Sequence, residues 1–161
     1  MISILGDCHV FVFLKDTNVL HFYDNRVDKF SKRTLNISQN NFQTAIEKEK
    51  AIREQKINNR ICLNKKNGFF ALTLNNTWQG SFVESQVPIS KIRKVLVCSD
   101  GFARLFKEYG IITPKSFFEN DLTLLKSVNL LREYEMQNKY NNCVKTQDDV
   151  SAILLNTTLG E

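Results

Sequence analysis

The hydrophobic pattern at the start of the chain alternates short apolar runs with polar breaks. It predicts a strand over residues 2–5, a bend at Gly6-Asp7, and a hairpin formed by residues 8–14 and 19–23. Along residues 8–14, alternate side chains share a face, and both faces are largely apolar. We therefore expect a strand that other parts of the protein cover on both sides.

The middle of the chain predicts one helix and two further strands. We interpret residues 24–38, which are polar and charged, as a connection. Residues 39–59 contain neither Gly nor Pro and are rich in Glu, Lys, Gln and Ala, so they predict a covering helix. The apolar positions expected to form its buried stripe are Phe42, Ala45, Ile46 and Ile52. Residues 69–74 and 81–87 predict strands, the second of which ends at Pro88.

The last third of the chain predicts a buried strand, three helical segments and a final strand. Residues 95–98 form an apolar, largely β-branched run, and helical spacing follows after the Ser-Asp-Gly break at residues 99–101. Thr113-Pro114 marks the start of a short helix. Residues 150–155 predict the last strand, so we expect a single α+β domain with several antiparallel strands and two or three covering helices.

A second helix is predicted after residue 120, with Asn120 or Asp121 as its cap. Its apolar residues recur every three positions and are expected to form one buried side. These residues are Leu122, Leu125, Val128 and Leu131.

Composition narrows the class of protein. The 161 residues fit one domain, and no apolar run approaches the roughly 18 residues that cross a membrane. The net charge of +5 permits a nucleic-acid partner, but the basic residues are scattered and no nucleic-acid-binding motif accompanies them. A small basic nucleic-acid binder therefore rests on charge alone. The four cysteines are widely spaced and no signal peptide is present, which indicates a reducing, cytoplasmic location.

Two kinds of polar residue, histidine and aspartate, are candidates for a catalytic or metal-binding site. His9 and His21 lie within predicted strands without the spacing of a metal pair, so we interpret them as packed strand residues. Asp7, Asp100 and Asp148 each lie at the end of an apolar run. Carboxylates that converge from separate segments form the sites that Mg²⁺ or Mn²⁺ prefers. The alternative is that Asp100 belongs to a simple turn and caps the next helix, and the spacing alone does not decide whether the three positions meet.

Three segments, in order, resemble the C-terminal half of the metal-dependent protein phosphatase 2C (PPM-type) family. Gly6-Asp7-Cys8-His9 stands where the family has a strand followed by Gly-Asp-Ser-Arg. Residues 95–101, an apolar strand ending in Ser-Asp-Gly, match a second family motif. Residues 148–155 match a terminal Asp-Asn or Asp-Asp followed by an apolar strand. The resemblance covers nearly the whole of residues 1–161, most loosely between residues 24 and 80.

The resemblance implies a partial phosphatase 2C-like β-sandwich with flanking helices. It implies that Asp100 and Asp148 bind the second metal of a binuclear Mg²⁺ or Mn²⁺ centre, and that Asp7 is associated with a third, weaker metal. Asp149 would be a structural neighbour and not a ligand. The family's reaction is the attack of a metal-bound water on phosphoserine or phosphothreonine, which implies a phosphoprotein substrate and no nucleic-acid or membrane partner. Nothing in the sequence sets the oligomeric state.

Two departures from the family lead to two hypotheses. Cys8 and His9 replace the family's Ser and Arg, and no Asp-Gly other than Asp100-Gly101 supplies the family's N-terminal, metal-bridging motif. We therefore expect that the chain corresponds to the C-terminal portion of a phosphatase domain. The first hypothesis is a fragment of a serine/threonine phosphatase whose hydrolysis needs the complete domain. The second is a catalytically inactive phosphatase-like module with a regulatory or binding role.

Overall fold

The computed structural model of the chain describes residues 1–75, 77–120, 122–137 and 147–157. The strands in these residues are β1 (Ile2–Ile4), β2 (His9–Leu14), β3 (Val19–Tyr23), β4 (Val83–Ser85), β5 (Ile92–Cys98) and β6 (Ala152–Asn156). The α-helices are α1 (Asp28–Ser38), α2 (Ala45–Ile61), α3 (Asp100–Ala103), α4 (Pro114–Glu119) and α5 (Leu124–Gln137). A 3₁₀ turn at Ile89–Lys91 leads into β5.

A four-stranded antiparallel sheet in the order β3-β2-β5-β6 forms the centre of the protein. Strand β2 is interior, and its side chains alternate between two buried faces. Phe11 and Phe13 belong to the core on one face, whereas Val10 and Val12 belong to the core on the other. The prediction of a strand covered on both sides is confirmed.

Helices α3, α4 and α5 contribute to the core on the phenylalanine face of the sheet. The helical and post-helical residues that are fully buried there with Phe11 and Phe13 are Phe102, Leu105, Phe117, Phe118 and Leu131. Full burial of side chains of this size stabilises the fold by about 1.5–3 kcal/mol each. This face holds the sheet and the helices together.

A two-stranded antiparallel sheet, β1 with β4, packs on the valine face. Ile4 of β1 is buried against Val10 and Val12, and Val83 of β4 adds to the same cluster. The described part of the chain therefore has helices, a four-stranded sheet and a two-stranded sheet as successive layers. It is an α+β arrangement of antiparallel strands, as expected from the sequence.

Residues 24–38 are not the polar connection that the sequence predicted, because they contain helix α1. Phe30, Thr34 and Ser38 recur every four residues and are the buried positions of this helix. Two of the three carry hydroxyl groups, so Phe30 is the only apolar residue among these buried positions. The Thr34 hydroxyl donates to the Phe30 carbonyl at 3.2 Å, which satisfies it within the helix.

Helix α2 exists, but its predicted buried stripe is wrong. Ile46 is 79% exposed and Ala45 is exposed, whereas Asn59 is the buried residue of the helix. The helix begins later than expected because the Thr44 hydroxyl accepts a hydrogen bond from the backbone of Glu47, whose carboxylate accepts one from the backbone of Thr44. Helix α2 packs on α1.

Two other local predictions need correction. Residues 69–74 form no strand beyond an isolated bridge between Leu63 and Phe69. The Asn64 side chain instead hydrogen-bonds both backbone groups of Ala71. In α5, Leu125 is 71% exposed, because the buried side runs through Ser127, Leu131 and Glu135.

The cap of α5 also differs from the prediction. The Thr123 hydroxyl accepts a hydrogen bond from the Lys126 backbone, and Asp121 lies outside the described residues. Residues 138–146, including Cys143, also lie outside them. The three described cysteines are free thiols. No helix among the described residues has the length and apolar character to cross a membrane.

Candidate metal centre

A cleft of about 520 Å³ brings together the three aspartates that the sequence singled out. Asp7 comes from the bend between β1 and β2, Asp100 from the end of β5, and Asp148 from the segment before β6. Because β2 lies beside β5 and β5 beside β6, the sheet carries these three segments to one edge. All three aspartates therefore line one cleft.

Ser99 joins the end of β5 to the beginning of β6. Its backbone N–H donates to the Ser151 carbonyl at 2.9 Å. Its hydroxyl accepts a hydrogen bond from the Ser151 N–H at 3.1 Å and donates one to the Asp149 carbonyl at 3.3 Å. A Cβ on Gly101 would lie 2.2 Å from the Asp149 carbonyl oxygen, so only glycine permits this approach. The Ser-Asp-Gly sequence therefore sets how closely Asp100 approaches the 148–149 segment.

Asp100 is the first residue of α3 and not its N-cap. Its carboxylate accepts the Gly101 N–H at 2.8 Å. Burial raises the pKa of Asp100 above its usual value, and the nearby negative charges of Asp7 and Asp148 raise this pKa further. Burial and the negative charges of Asp7 and Asp100 raise the pKa of the Cys8 thiol. The site therefore accumulates negative charge that a cation would relieve.

Arg104 already supplies one cation to this site. Its Nη2 lies 2.9 Å from Asp148 Oδ2, and both side chains are mostly buried. Its Nη1 lies 3.9 Å from Glu135, a buried residue of α5. Arg132 binds Glu135 at 2.6 Å and donates to the Asp148 carbonyl at 2.6 Å. Tyr109 completes the group by donating to Glu135 at 3.4 Å. This network fixes Asp148 to α5 as well as to the sheet.

His9 and Tyr23 form the aromatic side of the cleft, and His21 stacks on both of them from outside its lining. His9 lines the cleft and is buried, and its Nδ1 lies 2.9 Å from Nε2 of His21 on the adjacent strand. The His9 ring also stacks on Tyr23. Burial and the positive charge of Lys107 lower the pKa of His9 to about 3 and that of His21 to about 4, so both rings are neutral at physiological pH. The prediction of a packed strand residue is confirmed for His9, which is buried, whereas His21 is exposed and packs only through ring stacking, for example on Phe11.

The donor set of the cleft matches a hard divalent cation in its chemistry. Asp7, Asp100 and Asp148 offer carboxylate oxygens, the ligands that Mg²⁺ and Mn²⁺ prefer. Within the described residues, however, no three Asp, Glu, His or Cys side chains form a closed group ready to hold a metal ion. Asp148 faces Arg104 instead. Asp149 is exposed and does not line the cleft.

Several cleft residues were missed by reasoning from the sequence. Arg104 lies four positions after Asp100, a spacing that places the two on one helical face and that offered a signal. Lys32 of α1 and Lys56 of α2 also line the cleft. No sequence signal identifies them, because the packing of α1 and α2 beside the sheet edge is a tertiary feature.

In comparisons with known proteins, no family model, no curated protein and no solved structure matches the chain.

Proposed function

We propose that the chain is the C-terminal portion of a metal-dependent protein serine/threonine phosphatase of the 2C type. The observation that carries the proposal is the convergence of Asp7, Asp100 and Asp148, from three separate strand ends, on one cleft. In the complete domain, Mg²⁺ or Mn²⁺ held by these carboxylates would neutralise phosphoryl oxygens and lower the pKa of bound water. The substrate class is phosphoserine or phosphothreonine in a protein.

The residues of this chain would prepare the site for such an ion. Ser99 and Gly101 hold Asp100 close to the 148–149 segment, and Arg104 neutralises Asp148 when no other cation is near. The raised pKa of Asp100 reflects a carboxylate that a divalent ion would stabilise in its charged form.

The layers of the fold support the idea that this chain belongs to a larger sandwich. The β1–β4 sheet packs against Val10 and Val12 on the valine face. On the same face, Ile153 and Leu155 of the outer strand β6 remain 60% and 52% exposed. Apolar side chains on one sheet face stabilise a fold only when another layer covers them. Further strands of a second sheet would cover these two residues.

The second candidate is a catalytically inactive phosphatase-like module. Two observations favour it. The described residues contain no closed set of three ligands, and Arg104 forms an ion pair with Asp148 where a metal would bind. In this module Arg104 would replace the metal as the permanent counter-charge of Asp148. The fold and the cleft would then serve to bind a partner without hydrolysis.

Calorimetric titration of the 161-residue chain with Mn²⁺ separates the two candidates. The phosphatase proposal expects binding that weakens by about tenfold or more in Asp100→Asn. Asp149→Asn is the matched control, because it removes the same charge next to Asp148 at a position outside the cleft. Absence of Mn²⁺ binding by the wild-type chain, or equal weakening in both variants, would contradict the metal centre and leave the inactive module.

A further inference from the structure

Two histidines on adjacent strands connect the cleft with a second cavity of about 360 Å³. His9 lines the cleft and not the second cavity, whereas His21 lines the second cavity and not the cleft. The second cavity is also lined by Asn18 of the β2–β3 hairpin and, from the residues that follow α3, by Lys107 and Lys115. A direct contact between the two histidine rings therefore joins two places where a ligand can bind.

The two rings meet nitrogen to nitrogen. Nδ1 of His9 lies 2.9 Å from Nε2 of His21, which is hydrogen-bonding distance. Stacking holds both rings in place, since the ring centres of His21 and Phe11 are 4.2 Å apart and those of His9 and Tyr23 are 5.2 Å apart. One of the two facing nitrogens must carry a hydrogen and the other must not, because only a donor opposite an acceptor makes a hydrogen bond.

This single hydrogen determines the tautomer of both rings. Both are neutral at physiological pH, and a neutral imidazole carries one hydrogen on one of its two nitrogens. If His9 donates from Nδ1, His21 accepts at Nε2 and must carry its own hydrogen on Nδ1. If His21 donates from Nε2, His9 accepts at Nδ1 and must carry its own hydrogen on Nε2. The two rings therefore share a tautomer, either both Nδ1–H or both Nε2–H.

Each ring keeps one nitrogen for a ligand. Nε2 of His9 and Nδ1 of His21 form no hydrogen bond with any residue that the structure describes, and neither is a buried atom without a partner. Both nitrogens are therefore accessible to solvent. When one of them donates, the shared tautomer requires the other to accept. A ligand that fixes the role of one nitrogen thus fixes the role of the other, in a different cavity.

The chemistry of the second cavity favours a negatively charged ligand. None of the described residues that line it is acidic, whereas six carboxylates line the cleft. After burial, the largest cause of the lowered pKa of His21 is the positive charge of Lys107, so the electrostatic potential at His21 is positive. Lys115 pairs with Glu119 at 3.6 Å, but both side chains are about half exposed, and such a pair is weak.

We propose that the second cavity binds a small oxyanion, a phosphate or a carboxylate, and that this anion sets the hydrogen-bonding role of His9 in the cleft. The anion accepts a hydrogen bond from Nδ1–H of His21, so Nε2 of His21 accepts from Nδ1–H of His9. Nε2 of His9 then carries no hydrogen and accepts a hydrogen bond from a donor in the cleft. The proposal goes beyond the phosphatase function and needs no metal ion.

Long-range ¹H–¹⁵N correlation spectra of the histidine-labelled, 161-residue chain at neutral pH observe the tautomers directly. The chain contains two histidines, so every labelled ring belongs to the pair. Both rings should show the same tautomer without added anion. Inorganic phosphate and acetate should each increase the Nδ1–H form of both rings in parallel, whereas sodium chloride at equal ionic strength should not. Opposite tautomers, a change confined to one ring, or no response to either oxyanion would overturn the proposal.

Two variants locate the anion and the link. His21→Phe keeps a ring that can stack on Phe11 but has no nitrogen, so the response of His9 to phosphate should disappear. An undiminished response would place the anion in the cleft and contradict the link. Lys107→Gln with Lys115→Gln should raise the phosphate concentration at half-response about threefold or more.

The matched control for the lysine pair is Lys48→Gln with Lys50→Gln, which removes the same charge from α2 outside both cavities. Equal weakening in the two double variants would show that phosphate responds to net charge alone and would overturn the site. Failure of the phosphatase proposal has a different signature, because the absence of Mn²⁺ binding leaves the tautomers and their response to phosphate unchanged.

Discussion

The Nη2 atom of Arg104 lies 2.9 Å from Oδ2 of Asp148, across two segments that are distant in the sequence. Arg104 follows α3, which starts at Asp100, and Asp148 precedes β6. The pair therefore places a guanidinium against one of the two aspartates expected to share a metal. Arg104 therefore supplies a positive charge at this site even when no metal ion is bound.

Replacement of Arg104 tests whether this guanidinium competes with a divalent ion. Arg104→Gln should increase the affinity for Mn²⁺ because Asp148 loses its counter-charge. It should also lower the free energy of unfolding by about 1–3 kcal/mol, since Asp148 and the buried Glu135 lose a partner. Calorimetric titration and urea unfolding measure the two effects.

The control for this change is Arg132→Gln. Arg132 binds the same Glu135 side chain but contacts Asp148 only through its carbonyl oxygen. This variant should lose stability without a gain in Mn²⁺ affinity. Identical Mn²⁺ titrations for Arg104→Gln and the wild-type chain would show that the ion pair does not oppose metal binding.

Gly101→Ala should disturb the contact between the Ser-Asp-Gly turn and the 148–149 segment. A Cβ there would lie 2.2 Å from the Asp149 carbonyl oxygen, so one segment must move away from the other. We expect a loss of about 1–3 kcal/mol in urea unfolding. Gly80→Ala is the comparison, because Gly80 has a φ of +73° but nothing within 4 Å, so its cost is backbone strain of about 1 kcal/mol. A smaller loss at position 101 than at position 80 would contradict the close approach.

Asn59→Ala should detach α2 from α1. The change removes both hydrogen bonds that Asn59 Nδ2 donates, to Phe30 and to Thr34, at a cost of about 1–3 kcal/mol. Amide hydrogen exchange should become faster in residues 45–61 and stay unchanged in β2 and β5. Asn58→Ala, at the exposed neighbouring position, should leave the exchange of α2 as it is.

Acid should destabilise the protein through His9. In the folded state its pKa is lowered to about 3, below the value of 6.5 for an unperturbed histidine. The neutral ring therefore contributes stability above pH 6.5, and this contribution is lost as the pH falls from 6.5 toward 3. One such group changes stability by up to about 1.4 kcal/mol per pH unit.

His9→Phe isolates this effect, because phenylalanine retains the stacking on Phe11 and Tyr23 but does not titrate. Unfolding free energies measured between about pH 7 and pH 5 should decline less steeply in the variant than in the wild-type chain. Parallel profiles would show that His9 gains its proton without a penalty in the folded state.

The sheet was predictable because its signals are local. The apolar runs that become β2, β3, β5 and β6 are bounded by Gly, Asp, Asn or Ser, and each strand appears close to its expected limits. Helix α1 was missed because only Phe30 among its buried positions is apolar. The error in α2 has the opposite cause. Its isoleucines suggested a buried stripe, but Asn59 makes the contact with α1.

The candidate site was predictable only in part. Asp7, Asp100 and Asp148 stand out as acidic residues at the ends of apolar runs, and the order of the strands in the sheet unites them. The charged residues of the helices that lie near these aspartates were not predictable. Arg132 reaches the Asp148 carbonyl from α5, Glu135 of the same helix binds Arg132 and Arg104, and Lys56 lines the cleft from α2. Such positions depend on how helices pack, which no local pattern encodes.

The order of the strands also has a consequence for how the protein folds. Strands β2 and β5 are neighbours in the sheet but are separated along the chain by β3, α1, α2 and β4. The hairpin of β2 and β3 forms from local contacts, yet β2 cannot complete its pairing until β5 closes a long loop onto it. Since β6 pairs only with β5, we expect the aspartate cluster to assemble late, after the hairpin has formed.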